Sequence, residues 1–235
     1  IILPIVAFLY AAVGHGGASG YLAIMALFGF LPATMKPTAL LLNLFVAAAS
    51  FYYYWKNGHF NLKLFLAFAI SSVPLAFVGG MIAIDASIYK RILAVLLIFA
   101  ILKLLNVFGK ETDTVHSFQL WKGLIIGGII GFFSGLIGIG GGIILTPIIL
   151  LMQWGKMKEA AAVSALFIWV NSASGMIGQI STGVVVAPQA FILVAIALVG
   201  GALGGYFGSK KFNNRYLKHL LVIVLALACF KLLIT

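Results

Sequence analysis

Seven stretches of this chain stay apolar for about twenty residues each, at 35–55, 62–84, 88–107, 119–137, 157–178, 186–208 and 213–234. About twenty apolar residues in a helix are what crossing the hydrocarbon of a bilayer requires. Within that layer every backbone polar group must find its partner inside the protein, which leaves helices and closed barrels, and runs this continuous read as helices. Charge agrees with this reading. Asp, Glu, Lys and Arg make up 8% of the 235 residues, where a soluble domain carries about 25%. The expected fold class is an all-α integral membrane protein. The formal charge of +11 does not indicate nucleic acid, because the 15 Lys and Arg stand singly or in pairs between apolar runs, as orientation-setting loops do.

Two more apolar segments, 16–30 and 141–153, are too short to cross alone. Each follows a glycine cluster, Gly14-His15-Gly16-Gly17 or Gly138-Ile139-Gly140-Gly141-Gly142. Residues 1–13 lead into the first cluster as 119–137 lead into the second. The polar stretch 109–117 divides the chain, giving a first repeat over 1–108, a linker over 109–118 and a second repeat over 119–235. Both halves read as a helix, a glycine cluster, a short helix and three long helices. Gly79-Gly80 and Gly200-Gly201 fall in the fourth helix of their halves, and Lys-Leu-Leu at 103–105 and 231–233 closes the fifth. An internal repeat of this size is a common signature of transporter folds.

Charge then sets how the halves are related. If the two helices at each cluster both cross, or together form a re-entrant hairpin, eleven Lys and Arg collect on one side and four on the other. If each cluster instead splits one crossing helix, the count is nine against six. The positive-inside rule favours the asymmetric arrangement. It makes the repeats inverted, with both termini outside and a cytoplasmic linker.

The glycine clusters carry the expected chemistry. Irregular backbone at membrane depth survives only where it is buried in protein or lines a cavity. Each cluster opens a short helix, whose first N–H groups and positive dipole end suit an anion. Two such half-helices meeting near the midplane would make one site from Gly16, Gly17, Gly140, Gly141 and Gly142. The blander account is that these glycines only permit close helix packing. The four acidic residues, Asp85, Glu111, Asp113 and Glu159, all fall at segment ends or in the linker. Cation sites in membranes usually show an intramembrane carboxylate, so a cation is disfavoured. His15 is the only ionisable group beside a cluster. It can bind the anion when charged or couple transport to protons, against the plainer role of a neutral imidazole bonded to a nearby carbonyl. Asn43 and Asn171, each in the third helix of its half, are the strongest amide pair, with Ser172 and Gln179 as further uncharged donors. Interhelical hydrogen bonding is the alternative role for all four. Lys36 and Lys158 lead into the same helices, either steering anions or snorkelling to the interface.

The segment Gly138-Ile139-Gly140-Gly141-Gly142-Ile143-Ile144-Leu145-Thr146-Pro147, its echo at Gly14-His15-Gly16-Gly17, and the repeat resemble the sulfite exporter TauE/SafE family over essentially the whole chain. The resemblance implies a bacterial inner-membrane permease for sulfite, an organosulfonate or a related anion. The first half departs from the motif, with His15 where the second half has Ile139 and no proline answering Pro147. The expected partners are the anion, the bilayer and, as an assembly the sequence leaves open, a second copy in a homodimer. No cofactor or metal is expected. Two other functions compete. Gly17-Ala18-Ser19-Gly20 matches the G-x-S-G of rhomboid-type intramembrane proteases, with His219 as a base. A passive anion channel would share the same site.

Overall fold

The computed structural model describes residues 2–105, 107 and 115–210, together with 222, 225, 226, 229, 230 and 233. Nine helices are delimited among them: α1 (Ile2–Ala11), α2 (Ala18–Leu27), α3 (Pro32–Lys56), α4 (Leu62–Met81), α5 (Ala86–Leu104), α6 (Leu120–Ile137), α7 (Gly142–Leu151), α8 (Met157–Ser181) and α9 (Gln189–Lys210). No strand occurs among the described residues. The expected last helix, 213–234, lies almost wholly outside them, as do His219, Glu111 and Asp113.

Each long apolar run within the described residues is a helix, and α3, α4, α6, α8 and α9 are long and apolar enough to cross a membrane. The chain is a multi-pass membrane protein. The short helices α2 and α7 have 10 residues each, so each rises about 15 Å, half of a hydrocarbon layer about 30 Å thick.

Glycine sets the stops. At the end of α1 the His15 N–H bonds the Tyr10 carbonyl (2.8 Å) and the Gly14 N–H bonds that of Ala11 (3.1 Å). That pair of bonds closes a Schellman turn, which needs a left-handed residue, and Gly14 supplies it at φ 77°.

Helices α3 and α8 pass each other in opposite directions. Asn43 meets Ser172 near their middles, and Asn61, just beyond α3, bonds Glu159 in the first turn of α8. Helix α4 packs on α8 and lies along α6, while α9 packs on α3 and lies along α1. Each fourth helix thus embraces the first helix of the other half.

Glycine stripes make both embraces possible. Gly127, Gly131 and Gly135 of α6 sit against the carbonyls of Phe68, Ser72 and Ala76 on α4. Gly200, Gly204 and Gly208 of α9 sit against those of Pro4, Phe8 and Ala12. Lipid offers little hydrophobic reward for joining helices, so such close approach supplies the dispersion contacts that hold them.

Lys36 and Lys158 are found capping helix ends. Lys36 Nζ donates to the carbonyls of Gly80 (3.3 Å) and Ile82 (3.4 Å) at the end of α4. Lys158 Nζ donates to those of Ser209 (3.2 Å) and Lys210 (3.1 Å) at the end of α9. In each half, a lysine at the head of the third helix neutralises the negative end of the fourth helix of the same half. Replacing either with methionine is expected to lower stability in detergent by about 1 kcal/mol, and the pair additively. Unchanged thermal unfolding midpoints would show that these contacts contribute nothing.

Candidate functional site

The two glycine loops converge on the α3–α8 crossing. A methyl group on Gly16 would stand 2.5 Å from Asn43 Oδ1 and 2.9 Å from the Ile168 Cγ2 methyl. On Gly140 it would stand 2.6 Å from Asn43 Nδ2 and 2.7 Å from that same Ile168 methyl. One carboxamide therefore lies between the backbones of the two loops, with one isoleucine beside it. Counted from the starts of α3 and α8, the residue of the second half that answers Asn43 is Ile168, so the crossing is near-symmetric in shape and asymmetric in chemistry.

Asn43 is fully buried. Its Nδ2 donates to Ser172 Oγ at 3.2 Å, and its Oδ1 has no protein partner. An unpaired buried amide oxygen costs about 1–3 kcal/mol, which is unusual in a settled core. The Ser172 hydroxyl can accept from the amide nitrogen or donate to its oxygen, so the carboxamide can turn end for end and keep that bond.

Short helices begin at both loops. Helix α2 follows Gly17 (φ 96°) and α7 follows Gly141 (φ 79°), both left-handed and neither start capped by a side chain. The first intrahelical bond of α2 runs from the Tyr21 N–H to Gly17, and those of α7 from Ile144 and Leu145 to Gly141. The N–H groups before them have no partner within the helix, the arrangement that receives anions elsewhere. The two ends differ. A methyl on Gly17 would strike the Tyr21 phenol, whereas one on Gly141 would strike Ile130 and Phe167.

His15 is 3% exposed and bridges the halves. Its Nδ1 lies 2.8 Å from the Val13 carbonyl, which can only accept, so that nitrogen carries a proton. Its Nε2 lies 3.3 Å from Thr146 Oγ1 on α7. The Thr146 hydroxyl is also within reach of Ser164 Oγ (2.8 Å) and the Gly142 carbonyl (3.2 Å).

The remaining expected residues stand elsewhere. Asn171 faces α4, accepting from Ser72 and donating to the Phe167 carbonyl at 2.8 Å, so the structure joins Asn43 to Ser172 and not to Asn171. Gln179 is buried with Nε2 unpartnered, about 10 Å along α8 from Ser172. His59 lies in the α3–α4 loop, where desolvation and the nearby Lys158 hold its pKa below the ordinary histidine value. Ser19 donates to Tyr10 Oη at 2.8 Å. Sequence reasoning passed over Thr146 and Ile168, although Thr146 stands inside the quoted motif one turn after Gly142.

A multi-pass helical bundle with irregular, glycine-lined backbone buried at its centre has the architecture of a membrane transporter. The chain belongs to the sulfite exporter TauE/SafE family, whose model matches residues 1–232. It is 35% identical to the "probable membrane transporter protein y4hK" of Sinorhizobium fredii, over 97% of this chain and 94% of that protein. It is 25% identical to the "probable membrane transporter protein YunE" of Bacillus subtilis, over 84% of this chain and 80% of that protein. A third relative, the "probable membrane transporter protein MJ0441" of Methanocaldococcus jannaschii, is 26% identical over 72% of this chain and 67% of that protein. No solved structure matches the chain. It is a transporter and not an enzyme, so the hydrolase reading of Ser19 is set aside.

Proposed function

We propose that the protein is a secondary transporter for a small oxyanion, sulfite or an organosulfonate, bound where the two glycine loops meet. The observation that carries this is the Asn43 carboxamide held between Gly16 and Gly140, beside two uncapped helix starts. An anion arriving there would receive backbone N–H groups from both half-helices, with Ser172 as a side-chain donor. It would also select the amide orientation that presents Nδ2. The surroundings support the sign of the charge, because no Asp, Glu, Lys or Arg is buried among the described residues. The family's name supports a sulfur oxyanion. Antiparallel α3 and α8, as the third helices of their halves, fit an inverted repeat. Movement of one part of the bundle against the other around the loops would then give alternating access.

Replacing Asn43 with Asp tests the sign directly, since the side chains match in shape and differ by one negative charge. Flux of sulfite and toluenesulfonate into proteoliposomes is expected to fall below detection in Asn43→Asp, while Asn43→Ser keeps a measurable fraction. Retained or increased flux in the Asp variant would show that the crossing does not hold an anion.

A further inference from the structure

We propose that the Tyr21 hydroxyl is a substrate-binding group of this transporter, donating a hydrogen bond to an oxygen of the anion at the start of α2. The proposal rests on the anion reading of the crossing. It adds a residue that holds the anion and the side on which its oxygens sit.

Among the described residues, four buried side-chain polar atoms have no hydrogen-bond partner: Tyr21 Oη, Asn43 Oδ1, Ser134 Oγ and Gln179 Nε2. The first two flank one dipeptide. A methyl on Gly16 would stand 2.5 Å from Asn43 Oδ1, and one on Gly17 would stand 2.6 Å from Tyr21 Oη. Tyr21 is 1% exposed, which closes off bulk solvent as the partner. A buried hydroxyl left unpaired is costly, and other buried tyrosines of the bundle avoid that cost. Tyr10 accepts from Ser19, Tyr54 donates to the Ala12 carbonyl and Tyr89 to that of Ile137.

Helix geometry explains why the phenol lies where it does. Tyr21 is the fourth residue after Gly17, and its N–H makes the first bond of α2, to the Gly17 carbonyl. Long side chains in a helix lean back over the turn on their N-terminal side. The Tyr21 ring is thereby laid over the helix start, and Gly17, with no side chain, leaves room for it. The phenol is neutral near pH 7 and can donate its proton, as the free N–H groups of that first turn can. Donation to a charged oxygen makes a stronger bond than donation to a neutral one.

The other half has no such group. The fourth residue after Gly141 is Leu145, fully buried, and a methyl on Gly141 would meet Ile130 and Phe167 instead. Side-chain donors therefore gather at one of the two helix starts. The oxygens of the anion sit nearer α2 than α7.

Tyr21→Phe removes the hydroxyl and keeps the ring, so a role in the fold and a role in binding give opposite results. Without an anion, the purified full-length variant should unfold in detergent at the same temperature as the unsubstituted protein or higher, because the lost group had no protein partner. Titration calorimetry should show its affinity for sulfite or toluenesulfonate reduced about tenfold or more. Tyr54→Phe should do the reverse, lowering the unfolding midpoint and leaving the affinity unchanged, because its hydroxyl bonds Ala12. Undiminished affinity in Tyr21→Phe, with Asn43→Asp still abolishing binding, would overturn the role of Tyr21 and leave the crossing as the site. A lower anion-free midpoint alongside weaker binding would overturn it too, by showing that the hydroxyl acts through the fold. If the unsubstituted protein binds neither anion, the proposal falls together with the anion reading.

Discussion

Gly16→Ala is expected to reduce anion flux by roughly two orders of magnitude while leaving the fold intact. Gly16 is not among the glycines with positive φ, so alanine meets no backbone strain there. The added methyl would stand 2.5 Å from Asn43 Oδ1 and 2.9 Å from Ile168 Cγ2, both side-chain atoms that can shift by some tenths of an ångström. Relief of that contact pushes the carboxamide out of the gap between the loops. A misplacement of about 1 Å in a preorganised site is enough for a loss near a hundredfold. The matched control is Gly58→Ala, where φ is 75° and nothing lies within 4 Å of the new methyl. That variant isolates the backbone penalty, about 1–2 kcal/mol. It should lower the thermal midpoint without touching flux, the reverse of Gly16→Ala. Wild-type flux in Gly16→Ala would remove the loop crossing as the site.

The contrast between Gly16 and Gly141 shows where the sequence stopped being informative. Both lie in clusters that stand out in the sequence at once, and both clusters do open ten-residue helices. Hydropathy alone marked the described helices, because a segment surrounded by lipid must be apolar along its length. Which glycine faces the amide and which faces Ile130 and Phe167 depends on how two loops from opposite halves dock. That docking spans more than a hundred residues of separation and leaves no local pattern. Pairing Asn43 with Asn171 failed for the same reason. Matching residue types at similar depth are a fair guide, yet helical phase decides which face each presents, and Ser172 rather than Asn171 turns toward α3. Thr146 was hidden differently. A threonine in an apolar helix ordinarily bonds the carbonyl one turn back, as this one does to Gly142, so only the approach of His15 from the other half reveals its second role.

Gly131→Val should be among the most destabilising single changes available in the bundle, and Gly204→Val should nearly match it. In both positions a Cβ would collide with main chain: at Gly131 with the carbonyl and Cα of Ser72, at Gly204 with those of Phe8. Backbone in a packed helix has no rotamer to move into, so relief requires that the two helices separate along their length. Overpacking in a core that can adjust costs about 1–3 kcal/mol, and a contact against rigid backbone belongs at or above the top of that range. The measurement is thermal or denaturant unfolding of purified protein in detergent, with the yield of monodisperse protein as a second readout. Gly29→Val supplies the comparison, because nothing lies within 4 Å of its new Cβ and the backbone penalty at φ 75° remains. The two stripes also bear on how the halves move. Helix α6 is held by the α4 of the other half and α1 by the α9 of the other half, so each stripe ties a first helix to the opposite repeat. If these embraces travel as rigid pairs during alternating access, the moving bodies are α4 with α6 and α1 with α9, and α3 and α8 slide at the crossing. Even Gly131→Ala, whose Cβ would already collide with the Ser72 carbonyl oxygen, should then lower stability more than it lowers flux per folded molecule. Gly16→Ala should do the opposite. Equal losses of stability and flux in both variants would mean that the glycine stripes and the glycine loops belong to one mechanical unit, and the division between rigid pairs and a sliding crossing would have to be abandoned.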